Sequence, residues 1–226
     1  MTQSSWARNL SSTVASQVRY FRNRRGWSAQ QLADACTVLG YPLTRSALAN
    51  LESGRRPTIA VAELLILARA LNVPPVLLVF PVGRLDTVEP APGTEAPAWD
   101  AAKWFGGAAP FPAAPQQTID RPPATDVLTL FRRHDRYIDE WAFATRKARG
   151  ARSMRDEAAT PEERAWRDET AETAGRAARI AEEIIAETRQ EMRRLDLMPP
   201  PLPAGLRHLD AHLLPDENVT PARNDH

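Results

Sequence analysis

Arg45 and Asn50 lie in the stretch Thr44-Arg45-Ser46-Ala47-Leu48-Ala49-Asn50-Leu51, whose only large apolar residues are Leu48 and Leu51. On an α-helix, burying the two leucines turns Arg45, Ser46, Ala49 and Asn50 outward. The chemistry these side chains offer is hydrogen bonding at fixed geometry rather than bond making. A guanidinium donates a two-pronged fork that matches guanine O6 and N7. A carboxamide donates and accepts at once and so matches adenine N6 and N7, while an alanine is small enough to rest on a thymine methyl. Each good two-point pairing discriminates between bases by about 1–3 kcal/mol. A solvated helix face is the plainer reading of the same residues, so the surrounding chain has to decide between the two.

Bond-making chemistry finds little support. Cys36 is the only cysteine, with no histidine anywhere in the first 80 residues to activate it, and it reads as a small buried apolar residue. A serine–lysine protease dyad would have to use Lys103 or Lys147, the only lysines, and no strand-rich pattern surrounds either. His208 and His212, with Asp210 between them, have a spacing that a metal accepts, but proline-flanked residues of this kind read as solvated. No glycine-rich phosphate loop is present. The expectation is a protein with no catalytic residues, no cofactor and no metal.

The elements that must carry the Arg45–Asn50 surface read as five short helices over residues 12–80, an all-α unit. The first covers residues 12–25, with Val14, Val18 and Phe21 at helical spacing and Gly26 ending it. Ser28 followed by Gln31 is a capping box that opens the second, whose buried side is Leu32, Ala33 and Ala35. Thr44 is the N-cap of the third, which runs to Ser53 and is closed by Gly54. The fourth, residues 58–71, is apolar almost all round and reads as the central core helix. Pro74 and Pro75 open a fifth that ends at Phe80.

Charge follows the same division. Residues 1–80 hold nine arginines against Asp34, Glu52 and Glu63, a net of +6, whereas residues 81–125 carry −2 and residues 126–226 carry −3. The basic charge therefore sits in one segment, as it would where one domain meets a polyanion. The excess of 27 arginines over two lysines fits the codon bias of a GC-rich bacterial genome and by itself argues nothing about function.

The run Arg24-Arg25-Gly26-Trp27-Ser28-Ala29-Gln30-Gln31-Leu32-Ala33, followed by Leu43 to Leu51 and then Glu52-Ser53-Gly54-Arg55-Arg56-Pro57, resembles the Cro/CI-type, or xenobiotic-response-element, helix-turn-helix family. The family pattern is R-x-x-x-G-hydrophobic-S-x-x-x-L-A, a turn, a recognition helix, and hydrophobic-E-x-G-x-R/K-x-P. The resemblance covers residues 14–80, about a third of the chain. Two departures stand out. The glutamine usual directly after the serine is Ala29 here, and the stretch from Ala33 to Thr44 is about five residues longer than the family's turn. The extra residues either extend the second helix or loop around Gly40-Tyr41-Pro42.

The resemblance implies a lambda-repressor-like domain that lays its third helix in the major groove of double-stranded DNA. Arg45, Ser46, Ala49 and Asn50 would contact bases. Arg24, Arg25, Gln30, Thr44, Ser53, Arg55 and Arg56 would contact phosphates. Glu52 would be structural, pairing with an arginine inside the domain. The function implied is a sequence-specific transcriptional regulator, more often a repressor than an activator. The competing reading is a protein-interaction module, an antitoxin or a scaffold whose helix-turn-helix fold does not read sequence.

Beyond the DNA-binding domain (residues 1–81), residues 82–124 hold repeated prolines and read as an extended Pro/Ala-rich linker. Residues 98–105, with Trp99, Trp104 and Phe105, interrupt it as a helical turn or two that either docks on a neighbouring domain or binds another protein. Residues 125–198 read as a helical hairpin or coiled coil. One seam is Val127, Phe131, His134, Ile138, Trp141, Thr145 and Ala148, ending at Gly150. The other is Ala174, Ala178, Ala181, Ile185, Thr188, Met192 and Leu195. Such a thin seam is either covered within the chain or paired in a homodimer. Residues 199–226 read as a disordered tail. With no signal-peptide-like run and no stretch of eighteen apolar residues, no membrane is expected, and the location implied is cytoplasmic and nucleoid-associated.

Overall fold

The computed structural model describes residues 3–112 and 123–213, which form two units divided at Pro122. The expectations for residues 113–122 and 214–226, and for the side chain of His212, lie outside the described residues.

In the first unit, α1 runs over Gln3–Arg24, nine residues earlier than the spacing predicts, because half-buried Trp6 and Leu10 extend the stripe of Val14 and Val18. α2 covers Ala29–Val38, and the Ser28 hydroxyl accepts from the Gln31 backbone amide while the Gln31 side-chain oxygen Oε1 accepts from the Ser28 backbone amide at 2.8 Å. This is the reciprocal capping box read from the sequence. α3 covers Arg45–Glu52, α4 Val61–Leu71 and α5 Val76–Val79. Their core gathers Val14, Val18, Leu32, Cys36, Leu48, Leu51, Leu67 and Leu78, each at most 2% exposed. α4 corrects one expectation. Only one side of it is buried, and Val61 and Leu65 are 72% and 51% exposed, because apolar content does not determine which face neighbours cover.

The linker expected over residues 82–124 is folded across most of its described part. β1 (Thr87–Ala91) and β2 (Thr94–Pro97) pair antiparallel, with Val88 opposite Ala96 and Ala91 opposite Thr94. Prolines are tolerated because of where they fall. Pro90 sits in the register break between Val88 and Ala91, and Pro97 is the last residue of β2. Gly93, with φ of 74°, closes the turn, and its amide donates to the Glu89 carboxylate. α6 (Ala98–Phe105) then lays Phe105 edge-on against Phe80 at 5.7 Å, and Ala101 and Ala102 are buried against Val79 and Phe80. Arg84 stacks on Tyr20 and donates to the buried Gln17, and the Trp6 indole donates to the Glu89 carbonyl, so both ends of α1 hold this annex. The aromatic segment therefore docks on its own unit, leaving Trp99 61% exposed.

The second unit is an antiparallel pair, α7 (Pro123–Ser153) and α8 (Pro161–Arg194). Gly150 does not break α7; one interior glycine costs only about 1 kcal/mol, which packing overrides. Ala174, Ala178, Ala181, Ile185, Thr188 and Met192 are buried as the seam predicts, but Leu195 is 53% exposed because it caps the helix instead of continuing it. Of the expected α7 seam, His134 and Ala148 are buried and the others half-buried, while Leu130 and Ala144 are buried beside them. Glu172 and Arg176, four residues apart on α8, pair at 2.7 Å, whereas Glu163 and Arg167 at the same spacing do not: Glu163 turns back to the Ala159 amide and Arg167 donates to the Met154 carbonyl.

Residues 199–213 correct the disordered-tail expectation. After Pro199-Pro200-Pro201, a 3-10 segment (Ala204–Leu213) lies along the helix pair, with Leu206 fully buried and Gly205 against the Trp141 ring. A Cβ at 205 would stand 2.7 Å from that ring, so the approach requires glycine. Asp210, read from sequence beside two histidines, is instead fastened to Arg189 at 2.5 Å and to Arg193. Arg189 is 4% exposed and also donates to the Pro200 carbonyl at 2.6 Å. The same Nη1 meets His134 Nε2 at 3.0 Å.

That last contact requires an unprotonated Nε2, since the guanidinium only donates. Burial first, and the Arg189 charge second, hold the His134 pKa below its ordinary 6.5; Asp135, 3.6 Å from Nδ1, and Asp210 oppose them more weakly. Asp210, despite its burial, is held below 3.8 by hydrogen bonds from Arg189 and Arg193. Both shifts act in one direction. Below 6.5 the unfolded chain takes up a proton that folded His134 refuses, so stability falls as pH drops from 6.5 toward the folded value. Below 3.8 Asp210 adds its own loss. We predict that amide-exchange protection of residues 185–192, corrected for intrinsic rates, falls between pH 7.5 and 5.5 by up to about 1.4 kcal/mol per pH unit, and that His134→Gln abolishes the dependence. Equal protection at both pH values contradicts the assignment.

Candidate nucleic-acid interface

α3 begins where the Thr44 hydroxyl accepts from the Ala47 amide at 3.1 Å, with the Ser46 hydroxyl 3.0 Å from the same oxygen. Eight residues are too few for a helix to be stable alone. Leu48 and Leu51, each 1% exposed, hold it to the core, and Arg45, Ser46, Ala49 and Asn50 are all exposed on the other side. Among the described residues, neither the Arg45 guanidinium nor the Asn50 carboxamide has a side-chain partner. The helix closes at Gly54, with φ of 69°, and the Arg55 amide returns to the Asn50 carbonyl at 3.1 Å.

The C-terminal end of α3 is fixed by Glu52. Both its oxygens accept from Arg22 at 2.7 Å, and the third edge of that guanidinium donates to the Trp27 carbonyl at 2.6 Å. The two side chains are 12% and 9% exposed, and the Glu52 hydrogen bond keeps Arg22 more firmly charged than a free arginine. One ion pair thus joins the end of α1, the turn into α2 and the end of α3. Glu52 is an internal brace, as the sequence implied; Arg22, four residues before Gly26, was not singled out there. Its signal is its place at the head of the R-x-x-x-G pattern. A second brace was also missed. Glu63, 3% exposed, accepts from Arg56 at 2.5 Å, and its signal is an acid set within the apolar run of residues 59–68.

The phosphate-contact candidates fall into two groups. Arg55 is exposed and has no side-chain partner among the described residues, and Arg24 is exposed, with its guanidinium over the Tyr20 ring at 5.8 Å and a 3.5 Å contact to the Tyr20 hydroxyl. Thr44, Ser53 and Gln30 are also exposed, each making a local bond: the cap, Ser53 to the Asn50 carbonyl, and Gln30 to Asp34 at 2.7 Å. Arg25 and Arg56 are engaged internally. Arg25 lies over the Trp27 ring at 4.3 Å and donates to the Ala70 carbonyl, while Arg56 holds Glu63. The longer turn is both of its alternatives at once, since α2 reaches Val38 and residues 39–44 form a loop with Gly40 at φ of 85°. Cys36 is fully buried, and burial, aided by the Glu63 charge, pushes its thiol up to about 11, so it stays neutral.

With this geometry in hand, residues 14–79 match the family model of a helix-turn-helix domain, the class that the sequence motifs resemble. A domain of this kind points to a DNA-binding regulator. No curated protein and no solved structure matches the chain. Among the described residues no helix is long and apolar enough to cross a membrane.

Removing one partner of a nearly dry ion pair strands the other, which costs on the order of 3 kcal/mol. Glu52→Ala is therefore expected to raise the opening rate of the Leu48 and Leu51 amides, read by hydrogen exchange, by roughly a hundredfold. A change below about 0.5 kcal/mol, the size of a solvated surface pair, contradicts the brace.

Proposed function

We propose that this chain is a sequence-specific DNA-binding transcriptional regulator that reads the major groove with the helix from Thr44 to Ser53. The observation that carries this reading is the Arg45 and Asn50 pair, unpartnered among the described residues and displayed on a helix whose other side is anchored by Leu48 and Leu51. Arg45 reads a guanine through its fork, Asn50 an adenine through its carboxamide, and Ser46 and Ala49 complete the surface between them. Arg24, Arg55, Gln30, Thr44 and Ser53 are the phosphate contacts that set register. Arg25 and Arg56 add charge near the backbone while their forks remain on Trp27 and Glu63. Occupying the groove at a promoter excludes other proteins from it, so repression is the simplest output.

A reader of two-fold sites works as a dimer. The second unit supports one, because Phe143, Trp166 and Ile180 are 63%, 65% and 56% exposed on its helices. Its role in this account is to pair two copies, within the cytoplasm and on the nucleoid.

Affinity for duplex DNA should fall by about 10³–10⁵ between 50 and 200 mM salt if six to ten phosphates are neutralised. Arg45→Ala should cost about 1–3 kcal/mol and relax preference at one base position while leaving the salt slope nearly unchanged. A variant with the parent's sequence preference removes the base-reading role. Sedimentation equilibrium of the full chain should give a dimer, and a monomer at all concentrations removes the pairing role.

A further inference from the structure

A cavity of about 580 Å³ opens between α7 and α8, away from the strap of residues 199–213 on its own unit. Its floor is apolar, formed by the buried Ala148 and Ala178. Its walls are not. Arg149 and Arg152 stand on the α7 side with the hydroxyls of Thr145 and Ser153, and Gly175 lies on the α8 side.

Gly175 is where the charges converge. A Cβ placed there would lie 3.8 Å from Arg152 Nη2 and 3.8 Å from Arg179 Nη1, so guanidinium groups from two helices approach one point from either side. Gly175 has no positive φ and forms no turn, and in a helix interior it costs about 1 kcal/mol relative to alanine. What it provides is a recess.

Other arginines of this unit have found carboxylates: Arg155, in the turn between the helices, holds Asp168 at 2.7 Å, Arg176 holds Glu172 at 2.7 Å, and Arg189 holds Asp210. Asp156, in the turn after α7, pairs with Arg155 at 3.6 Å, and Glu183 stands one helical turn from Arg179 on α8; among the described residues neither acid forms an ion pair with Arg152 or Arg179 within 4.0 Å. Arg149 and Arg152 on the cavity wall and Arg179 beside Gly175 thus place three exposed like charges about one recess, in a segment whose net charge is −3.

We infer that this recess is a binding site for a small phosphorylated molecule. A phosphate monoester carries nearly two charges at neutral pH and three acceptor oxygens, enough to engage guanidinium forks from both helices together with a hydroxyl. The volume lies within the range of small-molecule sites and exceeds what a bare phosphate fills, so the alanine floor takes the organic body. A ligand held by Arg152 and Arg179 bridges α7 and α8 and stiffens the pair, which makes the second unit a sensor as well as a possible pairing surface. The inference stands independently of DNA reading.

The test is a titration of the full chain with ribose 5-phosphate, inorganic phosphate and ribose, at constant ionic strength, followed by the amide signals of residues 148–153 and 175–179. Saturable binding of ribose 5-phosphate is expected, tighter than phosphate, with ribose silent. Arg152→Gln and Arg179→Gln should each weaken it by about tenfold or more, while Arg176→Gln, whose arginine is already paired, leaves it unchanged. The inference is overturned by the absence of saturation at about 10 mM ester, by equal weakening in all three variants, or by phosphate binding as tightly as the ester. It is equally overturned if the recess signals move only with duplex DNA, which would make it a backbone contact.

Discussion

The short bidentate pair between Arg22 and Glu52 is the constraint on which the first unit turns. An eight-residue helix does not persist in water, and two leucines alone leave it free to rock about its axis. Glu52 removes that freedom at one end, because its two oxygens are matched by a planar fork whose other edge is fixed to the Trp27 carbonyl. The same guanidinium thereby sets the turn from which Ser28 starts α2. Sequence reading by a helix needs side chains placed to within fractions of an ångström, and this pair supplies the placement without a residue on the exposed face.

Charge is organised around the same requirement. Within residues 1–80 each of the three acids is engaged by a neighbour: Glu52 by Arg22, Glu63 by Arg56 and Asp34 by Gln30. Glu52 and Glu63 are neutralised in this way and support the fold without opposing a polyanion, whereas Asp34, exposed beside an uncharged carboxamide, keeps its charge. The arginines divide between braces, such as Arg22 and Arg25, and an outward set on and beside α3 whose forks remain available. A positive domain of this size could bind nucleic acid through charge alone; under the proposed function, the Arg45 and Asn50 donors, unpartnered among the described residues, are what would distinguish reading from attachment.

Much of this was legible in the residues. The capping box at Ser28, the Thr44 cap and the Leu48–Leu51 floor are local signals, and local signals survive folding. The exposure of Arg45, Ser46, Ala49 and Asn50 followed from them. What was not legible was set by long-range partners. Arg25 and Arg56 look like phosphate contacts until Trp27 and Glu63 are placed beside them, and Arg22 looks like one more arginine until Glu52 arrives from thirty residues away. The β-hairpin was hidden because Pro90 and Pro97 argue against strands, and only the register break and the strand end make them harmless. The ordering of residues 199–213 was hidden for a similar reason: a buried arginine on α8 gives Asp210 and the Pro200 carbonyl their purpose.

The central claim is that a braced helix presents Arg45 and Asn50 to base edges. Its most direct test is selection from a pool of random duplexes by the full chain, followed by sequencing of what is retained. The account predicts a recurrent short motif containing a guanine and an adenine at fixed separation. A retained pool indistinguishable in sequence from the input, despite measurable binding, would contradict it.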